Sequence, residues 1–256
     1  HGIRDEGFWT HKIARRVRQL AHPNSAVWAT ETSSYGYFPM LPFLLPWHRR
    51  QRVEWLMDQY TEALARYPQA TFSYVGHSNG TYLLARALEI YPCCRFRNVV
   101  FAGSVVRTRY DWSRYTETSP QRVGSVLNLT ATADWVVAFF PKFFQTLRLQ
   151  DLGSAGHDGF VPIGHGVYQL GPFRGGHGAA VAEPAWDLIA KFVLGAKPEM
   201  SMATGLTGRR AKWVRVLGLV PPVVWAGIAL SLWGGWVGIR FLLAHFLGWL
   251  DGVQRL

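Results

Sequence analysis

Acidic residues are scarce in this chain of 256: 16 Asp and Glu stand against 27 Lys and Arg, a formal charge of +11. That excess invites an anionic partner, yet the basic residues are scattered over helix faces, with one cluster at Arg209, Arg210, Lys212 and Arg215. No zinc-finger spacing, RNA-binding aromatic signature or basic stripe accompanies them. Nucleic acid is therefore not expected as a partner, and an anionic membrane surface fits better. Cysteine is almost missing. The two present, Cys93 and Cys94, are adjacent; neighbours rarely close a relaxed disulfide and are too few to hold zinc, so reduced thiols in a reducing compartment are expected. A His-Glu-x-x-His pair, an acidic cluster and a phosphate-cradling glycine loop are also lacking, so neither metal nor nucleotide cofactor is implied. The chain opens on His1-Gly2 without a methionine and is expected to be a fragment or a processed product.

What is present suffices for one α/β core and a modest remainder. "GFWTHKIARRVRQLAHP" puts Ile13, Val17 and Leu20 on one face, an amphipathic helix closed by Pro23, and "SAVWATE" reads as a short strand. From Tyr35 to Trp47 the chain is nearly all apolar but broken by three prolines, which excludes a regular helix or a central strand. "RRQRVEWLMDQYTEALARYP" follows as a helix burying Val53, Leu56, Met57, Tyr60 and Leu64. Later, "FRNVVFAGS", "GSVLNLTATAD" and "GVYQL" read as strands. "AFFPKFFQTLRL" is helical despite Pro141, and "EPAWDLIAKFVL" is a last helix with Pro184 in its first turn. Strands alternating with helices predict a parallel sheet covered on both faces.

The chemistry starts at "FSYVGHSNGTYLLARAL". Phe72, Tyr74 and Val75 suit a buried strand, while Tyr82, Leu83, Ala87, Leu88 and Tyr91 recur at helical spacing until Pro92. Between them, Gly76 and Gly80 flank Ser78 two residues to either side. A sharp strand-to-helix turn needs glycine there, because a Cβ would strike the neighbouring backbone. Such a turn lifts Ser78 to the top of a sheet, where a nucleophile is reachable. The alternative is a glycine-rich turn with an incidental serine.

With "HGIRDEGFW" ahead of this Gly76-His77-Ser78-Asn79-Gly80 elbow, the chain from His1 to about Leu194 resembles the α/β-hydrolase superfamily, most of all its small lipases and esterases. The resemblance implies backbone oxyanion donors at Ile3, after the His-Gly turn, and at Asn79, after the serine. It implies an acid that follows a strand, between nucleophile and histidine. Asp134 meets that condition, with Asp111 of "RTRYDW" as the alternative; an Asp134 without a catalytic role would simply cap the next helix. It also implies a base between last strand and last helix, which is His177. His157 is the alternative base, its separation from Asp134 being the more usual one; His165 ranks third, and His77 is expected to pack beside the elbow. The strands that ordinarily precede His-Gly are missing, so the sheet is expected to be incomplete at the N-terminal side.

Three regions are expected: a hydrolase domain over 1–200, a basic linker over 201–215 and a membrane-associated segment over 216–256. Val216 to Ile239 carries no charge and is long enough to span a bilayer, although Pro221-Pro222 and Gly234-Gly235 punctuate it. Either a single span or a hairpin turning at the glycines fits. The basic cluster before the segment predicts a hydrolase domain facing the cytoplasm. The expected activity is a membrane-anchored serine esterase acting on lipid or long-chain acyl esters. The alternative is a catalytically silent hydrolase-like protein that binds a lipid or a partner.

Overall fold

The computed structural model describes residues 8–21, 30, 45–203, 205–219 and 221–253. The strand expected in "SAVWATE", the apolar stretch before Leu45 and the His1–Ile3 turn lie outside them, Thr30 excepted. In chain order the elements are α1 (Phe8–Leu20), α2 (Pro46–Arg66), β1 (Tyr74–His77), α3 (Asn79–Ile90), β2 (Phe96–Ala102), α4 (Ser113–Thr116), β3 (Val123–Ala131), α5 (Trp135–Leu147), α6 (Ala155–Asp158), β4 (Val167–Phe173), α7 (Trp186–Val193), α8 (Lys212–Leu219) and α9 (Pro221–Val253).

The four strands form one parallel sheet in the order β1-β2-β3-β4. When successive parallel strands always add on the same side, right-handed crossovers put every connecting helix on one face. Accordingly, α3 to α6 share a core with α2, in which Val53, Met57, Leu84, Leu88, Trp112 and Phe160 meet. The other face is left to the helices outside the crossovers, and Trp9, Ile13 and Val17 of α1 join Leu188, Ile189 and Phe192 of α7 there. Strand β2 serves both cores by alternation: Val99 and Phe101 point to the first, Val100 and Ala102 to the second. Burial of each such side chain is worth roughly 1.5–3 kcal/mol, so a sheet covered on both sides is the stable outcome of this pattern. On α2 the apolar stripe outruns the surface it packs on: Leu64, expected inside, is 38% exposed.

Helix α5 continues through Pro141, which is buried against the core. The segment expected to be a linker is docked: Gly208 N–H bonds to Pro172 O, Ala211 N–H to Thr132 O, and Thr207 bridges Phe173. Beyond it Val214 of α8 is fully buried. The apolar tail therefore begins inside the packed domain rather than at Val216.

Helix α9 passes through Gly234-Gly235 without a break, and Pro221-Pro222 fall at its start, where a missing N–H costs nothing. The hairpin alternative is thereby set aside in favour of one helix. Within it Val223–His245 is long and apolar enough to cross a membrane, and none of that stretch is buried against the protein.

Candidate active site

The carboxyl ends of the four strands gather the chemistry. Ser78 follows β1 with φ 52° and ψ −118°, a conformation that non-glycine residues avoid, held by its N–H on Ala102 O at 3.0 Å and by its carbonyl on Thr81. Thr81 donates from both N–H (3.0 Å) and Oγ1 (2.7 Å) to Ser78 O, and Oγ1 also accepts from Val105 N–H at 3.1 Å. A Cβ on Gly76 would stand 3.1 Å from the Gly80 carbonyl carbon, so the turn closes only because Gly76 has none. Asn79 and Gly80 open α3, where the first N–H groups of a helix have no intrahelical acceptor.

Asp134 ends the β3 connection, fully buried, and caps α5: its Oδ1 accepts from Val137 N–H at 3.0 Å. The same carboxylate holds His177, with Nδ1 3.0 Å from each oxygen. His177 follows β4 and lies over the loop after β2. A Cβ on Gly103 would be 2.9 Å from the imidazole Cε1 and Nδ1, so Gly103, at φ +53°, supplies the floor on which the ring rests. His77 packs beside the elbow, its ring centroid 4.7 Å from that of His177 and 6.1 Å from that of Trp9; its Nε2 is 3.1 Å from the His177 carbonyl oxygen.

The remaining contact of a triad is not made. His177 Nε2 is buried without a hydrogen-bond partner among the described residues, so it does not reach Ser78 Oγ, and Ser78 is only 3% exposed. The expectation that the imidazole would bond the serine is not met, whereas the carboxylate on its other nitrogen is that of Asp134.

The alternatives lie elsewhere. Asp111 sits on the surface, bonded to Ser113 Oγ and to Arg114, and the Ser113 hydroxyl followed by the Arg114 guanidinium lowers its pKa; it does not face a histidine. His157 is 2% exposed within the packing of α5, α6 and α8, where burial lowers its pKa most, Lys142 and Arg210 lower it further, and Asp158 opposes them. Its Nδ1 has no hydrogen-bond partner among the described residues, and its Nε2 is 3.8 Å from Asp158 Oδ1. His165 is exposed on a loop. Ile3 lies outside the described residues. Cys93 is exposed and Cys94 buried, both as free thiols, and burial pushes Cys94 up to about 12, far from a thiolate. Among the described residues no group of three or more His, Cys, Asp and Glu gathers where it could hold a metal ion.

Gly103 and Thr81 went unread in the sequence. The small-residue run "AGS" after β2 was the available signal for Gly103; Thr81, three residues into the elbow helix, offered none. Comparison with protein-family models, with curated proteins and with solved structures returns no match for this chain.

Proposed function

We propose that the protein is a membrane-anchored serine hydrolase of the α/β-hydrolase superfamily, cleaving lipid or other long-chain acyl esters through an acyl-enzyme. The observation that carries this reading is the Asp134–His177 pair, two 3.0 Å contacts, beside a serine in a strained elbow. Ser78 Oγ attacks the ester carbonyl carbon and its proton passes to His177 Nε2, while Asp134 holds the ring in the right tautomer and stabilises the imidazolium. The Asn79 N–H, with Ile3 as the second donor the resemblance implies, stabilises charge on the carbonyl oxygen. His177 then protonates the leaving alkoxide, and a water, deprotonated by the same nitrogen, releases the acid and frees Ser78. The open Ser78–His177 contact is compatible with this, because catalytic hydrogen bonds often tighten only when substrate binds. Helix α9 anchors the domain. The basic cluster ahead of its start, against Arg240 and Arg255 beyond, supports a hydrolase domain on the cytoplasmic side.

The same open contact and the enclosed serine favour a second reading, a hydrolase-like protein that binds a lipid without turnover. A fluorophosphonate probe applied to the full chain in detergent separates the two. The esterase labels, Ser78→Ala abolishes labelling, and His177→Ala lowers ester hydrolysis by about 10⁴-fold or more. His157→Gln keeps the label. Absence of labelling in the folded parent chain rejects the esterase.

A further inference from the structure

Helix α5 is apolar on both sides. Val137, Ala138 and Pro141 face the core, while Trp135, Phe139, Phe143 and Leu147, spaced by four, form a second stripe on the opposite side. The middle of this outer stripe is covered by the base of α9: the Trp225 ring lies 4.8 Å from Phe139, 4.9 Å from Phe140 and 5.4 Å from Phe143. Its ends are bare, Trp135 at 47% and Leu147 at 44% exposure.

What covers them follows from Trp225. It lies two residues from Val223, where the 23-residue apolar stretch of α9 begins, and that stretch is about 34 Å long at 1.5 Å per residue, close to the thickness of a bilayer core. The medium that surrounds α9 thus starts within a turn of the point where α9 touches α5. Alongside, α8 turns Val214 inward and leaves Trp213 and Val216 more than half exposed, next to Lys212 and Arg215 respectively. An aromatic and aliphatic surface edged with cations suits the headgroup boundary of an anionic bilayer, and a water-facing helix has no use for it.

We propose that the outer faces of α5 and α8 seat on the anionic bilayer that α9 crosses. Asp134 caps α5 and directly precedes Trp135, so seating this face brings the Asp134–His177 rim over the headgroup layer. The substrate is then an acyl ester resident in that same bilayer, entering without passing through water; this half rests on the esterase reading above.

The test uses the full chain reconstituted into vesicles of phosphatidylcholine and phosphatidylserine. With Cys93→Ser removing the exposed thiol, Leu147→Cys carries an environment-sensitive NBD fluorophore. Seating gives blue-shifted emission quenched by lipids brominated along the acyl chain; water-like, unquenched emission overturns the docking. In parallel, Leu147→Asp combined with Val216→Asp is assayed on a long-chain ester embedded in the vesicles and on a soluble short-chain ester. Hydrolysis of the embedded ester drops by about tenfold or more while the soluble ester stays within about twofold. Equal rates on the embedded ester before and after substitution reject the bilayer-resident substrate. Should neither ester be cleaved by the parent chain, the esterase reading fails, and the fluorescence still decides the docking.

Discussion

At the scale of single residues, His157 shows how a side chain can look catalytic and serve another purpose. It is nearly enclosed by α5, α6 and α8, and the Cα of Gly218 approaches so closely that a Cβ there would be 3.4 Å from its Nε2. Burial lowers its folded-state pKa below the ordinary 6.5. The folded state therefore prefers the neutral ring, while the unfolded chain takes up a proton once pH falls below about 6.5. Its stability contribution is complete above that value and declines as pH drops through it toward the lower folded value. In detergent, the parent should lose more thermal stability than His157→Gln between pH 7.5 and 5.5; parallel declines would remove His157 from the account. Nothing in "SAGHDGF" signals this role, because burial of His157 depends on α8, a helix more than 50 residues downstream.

At the scale of elements, the sequence was legible wherever local pattern and packing agree. The glycines around Ser78 mark the turn because two backbones meet there, and the alternation of β2 marks a strand covered on both faces. It was less legible where long-range packing decides. Residues 205–211 look like a basic linker, but their backbone runs along the end of β4, and Gly234-Gly235 looks like a turn although α9 continues through it. Glycine costs a helix only about 1 kcal/mol in water, too little to break one this long. Arg240, inside the apolar stretch, lies over the Trp236 ring at 4.8 Å. It is five residues short of His245, roughly 8 Å along the axis, so that with α9 across a bilayer, as proposed above, its extended side chain would reach the far headgroups. Helix α5 supplies the sharpest test at this scale, since Asp134 both caps it and holds His177, the proposed base. Asp134→Asn keeps a capping oxygen but not the charge, so it should leave stability nearly unchanged and cut kcat by about 10⁴-fold. Asp134→Ala should lose comparable activity and, in addition, about 1 kcal/mol of stability with the cap. Urea midpoints and ester kinetics for the two variants check the separation; matching midpoints would remove the cap.

At the scale of the whole molecule, the boundary between the packed domain and the long apolar helix lies near residue 219. Ala203 is fully buried in the second core and Val214 is buried on α5, so both belong to the folded unit. A chain ending at Gly218 should be folded and retain activity on a dispersed short-chain ester. One ending at Met202 should be several kcal/mol less stable, having lost two buried side chains worth roughly 1–3 kcal/mol each and the bonds along β4. Denaturant unfolding of the two truncations distinguishes this from a domain that ends before the basic segment, for which the midpoints coincide.

The packing of α1 against α7 has a consequence for biosynthesis. Arg16 of α1 forms a two-pronged ion pair with Asp187 of α7, 171 residues later, and the apolar side of α1 at Trp9, Ile13 and Val17 rests on the same helix. A ribosome adding roughly 5–20 residues per second needs about 9–34 s to bridge that gap. Throughout it, the N-terminal helix waits with its oily stripe uncovered, while strands appear one after another and add to a half-clad sheet. When α7 emerges the second core closes, and only some 35 residues later does the long apolar helix follow. Translation thus presents a nearly finished α/β domain before its long apolar helix, and whatever shields α1 until then must let go within half a minute.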